Sequence, residues 1–327
     1  MIKRFRPDWF IIGILLMILL AYLIPGIGAG GSRIELKTII HYGIMLLFFF
    51  YGVKLNPGEL KKDLSNWRLH ITIQAITFIA FPVIVILFRP LWADTEYKVL
   101  WLAVFFLAAL PSTVSSSVVM VSIARGNVPG AIFNASISGL LGILITPAWM
   151  GLFMEYQSGA FSFAEALGDL VVQILLPVSA GMLVHPFLGT WARKNSRYIG
   201  LFDRSVILTI VYSSFSDSFR QGIFGSIGTH DLLILGGIVI ALFFVIYEMT
   251  RLLVRLMHFN REDGITVLFC ASKKSLVHGS VFSSVLFSGT PYVSLFLVPI
   301  MIYHAFQLFY ISITAHRFGL EQPVTKR

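Results

Sequence analysis

Two adjacent lysines, Lys273 and Lys274, stand in an apolar stretch, FCASKKSLVHG from Phe269 to Gly279, and Leu276 to Leu286 continue it beyond them. Charges at such depth in a bilayer cost a few kcal/mol or more and face a cavity or a partner. A second unusual stretch, ALPSTVSSSVVMVSIARGN from Ala109 to Asn127, puts Pro111 and then Ser112, Thr113, Ser115, Ser116 and Ser117 between flanks fit for lipid. Proline removes a backbone donor and disrupts the preceding turn, so the freed carbonyls need hydroxyls, water or an ion as partners. The chemistry on offer is binding. Hydroxyls and unwound backbone can meet a cation or an anionic group. A buried ammonium can pair with an anionic substrate, stand where another carrier holds a cation, or exchange a proton.

Each feature also has a plainer reading. A single serine or threonine in a membrane helix bonds back to its own turn or lets helices pack closely. The whole run beside a proline points instead to a broken helix. A lysine near a helix end can snorkel, but the apolar residues on both sides place this pair well inside. Adjacent helical residues point roughly 100° apart, so one of the two faces a cavity, and Lys274 beside Ser275 is the expected one. His278, four residues beyond Lys274, is a second titrating group on the same face, and Ser272 flanks the pair on the other side. Gln74, Asn134 and Ser138 either line the same cavity or make single interhelical hydrogen bonds; the last two are four apart and share a helical face. Neither stretch holds a carboxylate. Glu248 and Asp217 are the intramembrane acids, as counter-ions or as interfacial residues. A serine activated by a lysine can serve as a hydrolytic nucleophile. Neighbours on one helix do not align for that proton transfer, and no oxyanion motif accompanies Ser272 or Ser275, so the expectation is no enzyme.

The elements that must hold these residues follow from composition. The chain is 57% hydrophobic and 13% charged, with a mean hydropathy of +0.83, beyond what a water-soluble domain needs for its core. The expected class is an all-α integral membrane protein. With spans of roughly 20 residues, candidates lie at 8–24, 36–53, 69–89, 97–124 and 129–154, then at 163–187, 201–219, 231–256, 263–288 and 291–314. That is ten helices in two sets of five. The run at 8–24 is long for a signal peptide and lacks a convincing cleavage site, so it is expected to be a retained first span.

The net charge of +9 comes from short clusters between apolar runs and not from one basic stripe, so a membrane and no nucleic acid is the expected partner. Of the 25 lysines and arginines, eighteen fall on one side if the spans alternate, five (Arg33, Lys37, Arg89, Lys98, Arg220) on the other, and Lys273 and Lys274 in the membrane. Positive-inside counting puts both termini in the cytoplasm and the chain in the inner or plasma membrane. An odd number of spans per set makes the two sets inverted, at about 8–155 and 163–315 of one transmembrane transporter domain. Pro111 and the lysine pair both fall in the fourth span of their set. Alternating-access carriers build their sites from such interrupted helices. Cys270 is the only cysteine, which excludes an internal disulfide and a cysteine metal cluster.

At these residues the sequence resembles the bile acid:sodium symporter family, and most closely its branch of bacterial proteins with a single vertebrate relative. The Pro-Ser-Thr-Val-Ser-Ser-Ser run, Ala124 to Asn127 (ARGN) and Phe269 to Leu276 (FCASKKSL) carry the likeness, which covers essentially the whole chain. The resemblance implies ten helices, a panel and a core domain, fourth and ninth helices that cross where both unwind, a monomer, and sodium-coupled uptake of bile acids or other organic anions. It also implies that much of the sodium cage is missing. Anchored on ARGN, Ser117 falls on a sodium-binding serine and Gln74 on the third-helix glutamine. A ligand asparagine falls on Val118, two hydroxyl ligands on Ala131 and Ala135, a glutamate on Phe269, and a glutamine and asparagine on Lys273 and Lys274. A fixed ammonium in place of a sodium ion is the reading this suggests.

The expected function is secondary transport of a small organic, anionic solute, with no cofactor and with sodium or a proton as coupling ion. A membrane sensor that keeps the carrier fold but moves nothing is the alternative; it would bind ligand without counterflow.

Overall fold

The computed structural model describes residues 9–28, 35–55, 66–91, 97–153, 168–222, 228–288, 290 and 292–320. Among them every regular element is helical. In chain order these are α1 (Trp9–Leu23), α2 (Leu36–Lys54), α3 (Trp67–Leu91), α4 (Lys98–Ala109), α5 (Ser115–Ile123), α6 (Val128–Gly151), α7 (Gly168–Lys194), α8 (Ser196–Arg220), α9 (Thr229–Leu256), α10 (Arg261–Ala271), α11 (Leu276–Leu286) and α12 (Val293–Leu320). Six stretches are long and apolar enough to cross a membrane: α2, α3, α6, α7, His230–Leu256 within α9, and α12. Leucines and isoleucines such as Leu15, Leu19, Ile71 and Leu183 are exposed on helix surfaces, which water would penalise and lipid does not.

The span expected at 97–124 is two helices, α4 and α5, separated at 110–114; the one at 263–288 is α10 and α11, separated at 272–275. The span expected at 201–219 lies in α8, which is long enough but carries Asp203, Arg204, Asp217 and a run of serines, so it is not among the six apolar ones. The parts of the expected spans and loops at 1–8, 29–34 and 154–167, with Lys61, Lys62, Lys326 and Arg327, lie outside the described residues.

The chain divides into two compact units. The first takes residues 1–56, 157–232 and 280–297. In it α2 and α7 press together through glycines: a Cβ on Gly52 would meet the Val178 carbonyl, and one on Gly181 the Phe49 carbonyl. Only glycine permits that backbone approach.

The second unit takes residues 57–156, 233–279 and 298–327. Its turn between α5 and α6 reads ARGN, with Arg125 in the left-handed region at φ 58°. Asn127 caps α6 by accepting from the Gly130 N–H, and its amide donates to Asp263 at 2.7 Å. Asn260 caps α10 by accepting from the Asp263 N–H. Asparagine at a helix start satisfies a backbone donor that the helix cannot, and here the two caps share one carboxylate. That junction fixes where α10 begins, and so where its broken end arrives.

Candidate functional site

Both breaks lie in the second unit and each completes the other. Pro111 brings no N–H, and α4 stops at Ala109. The carbonyls it strands are each taken by a separate donor. Leu107 accepts from the Leu110 N–H at 3.3 Å and Pro111 from the Ser275 N–H at 2.9 Å. The Thr146 hydroxyl donates to Ala109 at 2.8 Å. The Ser112 N–H, which a continuous helix would send to Ala108, goes to the Ser138 hydroxyl at 2.9 Å. The Ser112 hydroxyl donates to the Cys270 carbonyl at 2.5 Å.

Lys274 Nζ takes what is left. It donates to the carbonyls of Ala108 at 2.6 Å and Leu110 at 2.8 Å, both at the end of α4, and to that of Thr77 at 2.8 Å. Thr77 is stranded for a different reason. It lies in a π-helical turn, Ile76–Ala80, so that the Phe81 N–H reaches back to Ile76, and the next position is Pro82, which has no N–H to give. The Phe81 ring centroid is 4.0 Å from the ammonium. Lys274 is fully buried. Three acceptors require three N–H donors, which only the ammonium form supplies, and the end of a helix is where a cation is stabilised.

Lys273 is equally buried but differently partnered. Its Nζ donates to the Ser116 hydroxyl at 3.2 Å. Ser116 donates to Thr113 at 2.9 Å, and Thr113 and Ser117 share a hydrogen bond of 2.7 Å. This row of hydroxyls runs from the break at Thr113 into the first turn of α5, the positive end of that helix. Among the described residues no carboxylate forms an ion pair with either lysine. Glu248 pairs with Arg251 at 3.0 Å and Asp217 with Lys37 at 3.8 Å, so neither acid is the lysines' counter-ion. No cluster of histidine, cysteine and acidic residues able to hold a metal occurs among the described residues.

The sequence expectation for Lys274 and His278 depends on helical geometry that the break removes. Residues 273–275 are not helical, so His278 does not stack on Lys274. It pairs with Ser275 instead: the Ser275 hydroxyl accepts from the His278 backbone N–H at 3.2 Å, capping α11, and shares a 2.9 Å hydrogen bond with Nδ1. Nor is Lys274 the lysine with donors to spare, because its three are spent on carbonyls. Ser272 bonds back to Leu268 at 2.6 Å. Asn134 and Ser138, read as sharing one face, serve different neighbours. Ser138 receives the Ser112 N–H; Asn134 donates to His70 at 2.8 Å and accepts from Gln74 at 3.2 Å. The side chain of Ser115 lies outside the described residues.

Three residues that the sequence did not single out complete the two breaks, Gln307 and Tyr303 at the second and Thr146 at the first. The Gln307 side chain grips the Lys274 backbone from both sides, accepting from its N–H and donating to its carbonyl at 2.9 Å each. Tyr303 donates to the Ser272 carbonyl at 2.8 Å. Thr146 closes the first break. Gln307 and Tyr303 are four apart in α12, a spacing that puts both on one face. A separate cavity of about 830 Å³ lies in the first unit, lined by Lys37, His41, Asp169, Gln173, Asp217 and Arg220 among others, and includes none of these residues.

Comparison with known proteins gives one family and several relatives. The SBF-like CPA transporter family matches residues 8–319. An uncharacterised protein of Pseudomonas aeruginosa is 34% identical over 316 residues, covering 97% of this chain and 94% of the relative. YfeH of Escherichia coli, which bears the name of a candidate symporter, is 34% identical over 320 residues, covering 97% of this chain and 94% of its own. Sodium/bile acid cotransporter 7 of Mus musculus is 29% identical over 318 residues, covering 94% of this chain and 91% of its own.

Proposed function

Because the chain belongs to the SBF-like CPA transporter family, and is therefore a multi-pass membrane transporter and not an enzyme, we propose that it carries a small organic anion whose charge is held by Lys273. The observation that carries this reading is the setting of that lysine. It is fully buried, makes one hydrogen bond to a side chain, and sits at the positive end of α5 with no carboxylate paired to it among the described residues. A buried cation beside a helix N-terminus is unfavourable until an anion arrives. Thr113, Ser116 and Ser117 add hydroxyl donors next to it. Ser112, Ser138, Ser272, Lys274 and Ser275 shape the crossing in this reading, with Gln74 and Asn134 bracing it from α3 and α6 and His278 as the group able to exchange a proton.

The ten-span arrangement belongs to the same proposal. The six long apolar helices, α1, α8 and the two broken pairs supply ten crossings, as two inverted repeats at about 8–155 and 163–315, with both termini on the cytoplasmic side of the cell membrane. The name of the vertebrate relatives puts sodium forward as a coupling ion. In this chain Val118, Ala131, Ala135 and Phe269 bring no side-chain oxygen to the positions the family uses, and Gln74 is occupied by Asn134. We therefore propose transport that does not require sodium.

The test begins with thermal unfolding of the purified protein in detergent with taurocholate or succinate added singly. A ligand at a hundredfold excess over its Kd stabilises the folded state by about 2.7 kcal/mol. One of these anions should raise Tm in wild type and lose that effect in Lys273→Gln. The same anion should then exchange across proteoliposomes at equal rates in sodium and choline. An anion shift that survives Lys273→Gln would move the site elsewhere. A shift without exchange would identify a non-transporting sensor.

A further inference from the structure

We infer that the carbonyls of Thr77, Ala108 and Leu110, with the face of Phe81, form a monovalent-cation site that the chain fills permanently with its own Lys274 ammonium. Backbone carbonyls converging on one point, without a carboxylate, are the ligand set that replaces the water of a monovalent cation. Divalent ions draw on carboxylates as well, and no acidic side chain pairs with this lysine among the described residues. The aromatic face 4.0 Å away suits an ammonium-sized cation.

The site is built into the backbone and is not improvised by the lysine. Pro82 behind a π-turn strands Thr77, and Pro111 ends α4 so that Ala108 and Leu110 are stranded too. Two unrelated helix defects aim their free carbonyls at one place. Within hydrocarbon each of these oxygens needs a donor or a cation. Thr77 has a further buried oxygen, its hydroxyl, with no hydrogen-bond partner. The Gln307 clamp fixes the Lys274 backbone so that the side chain enters from the second break.

It follows that no free cation exchanges at this site in the intact protein, whatever solute it carries. Ion coupling, if present, uses other groups. Because the readout is unfolding and not transport, failure here leaves the assignment of Lys273 untouched, and failure of that assignment leaves this site untouched.

The experiment truncates the lysine and offers a replacement. Lys274→Ala removes the equivalent of n-propylammonium. The variant is purified in detergent and unfolded thermally in choline chloride, then in n-propylammonium, potassium and sodium chlorides at matched ionic strength. We expect a lowered Tm in choline and a concentration-dependent recovery with at least one of the small cations. Wild type and Lys273→Ala should show no such recovery. The proposal is overturned if no small cation stabilises Lys274→Ala beyond its effect on wild type. Should Lys274→Ala yield no folded protein in choline, it is prepared in n-propylammonium throughout, and recovery there alone is the expected result. Lys274→Met provides an independent reading, since its side chain fills the space without charge. It should unfold below wild type in every salt, and a Lys274→Met protein as stable as wild type overturns the proposal.

Discussion

The carbonyl cage around Lys274 and the hydroxyl row around Lys273 lie one residue apart in sequence and are equally buried, yet they treat the same side chain in opposite ways. The cage meets the ammonium with three stranded carbonyls, two of them at the negative end of α4. The row meets it with hydroxyls at the positive end of α5, where Ser116 alone among the described residues accepts from the ammonium. The difference teaches that a buried lysine is not by itself a binding group. What decides is the polarity of the helix end it faces and how many of its donors are already taken. On that basis Lys274 has its three donors spent on carbonyls, and Lys273 is the lysine we propose for the solute.

That contrast can be broken by substitution. Lys274→Met leaves three buried carbonyls without donors; each costs about 1–3 kcal/mol, so a loss of roughly 3 kcal/mol or more is expected in thermal unfolding. Gln307→Leu removes both halves of the clamp on the Lys274 backbone and should cost about 2–4 kcal/mol, read as a lowered Tm with a response to added anion that persists. Ser112→Ala strands only the Cys270 carbonyl and should cost about 1–2 kcal/mol. Lys273→Gln is expected to change stability least, within about 1 kcal/mol, because the amide can still donate to Ser116, while abolishing the Tm shift produced by the bound anion.

Much of this organisation was legible in the sequence. Pro111 with its hydroxyl run and the lysine pair announced two broken helices, and the structure interrupts both there, at 110–114 and 272–275. Their family likeness was legible in the same residues. The cage was not, because a carbonyl is common to every residue and only three-dimensional placement shows which are stranded. Pro82 was visible, but the π-turn that combines with it to free Thr77 carries no side-chain signature. The expectation that Lys274 and not Lys273 faces a cavity rested on helical angles across 273–275, where the helix is absent. For Asn134 and Ser138 the spacing left a shared cavity and single interhelical hydrogen bonds both open, and the structure shows hydrogen bonds to different neighbours. Gln307 was readable as a polar residue in an apolar helix; its partner is a backbone segment, which no side-chain pattern reveals.

The most direct test of the contrast is a matched pair, Lys273→Met and Lys274→Met, unfolded side by side in choline chloride without added ligand. The two substitutions remove the same charge and add the same side chain, so only the surroundings differ. The account predicts a large drop in Tm for Lys274→Met and a value close to wild type, or above it, for Lys273→Met. Equal losses, or a larger loss at Lys273, would contradict it.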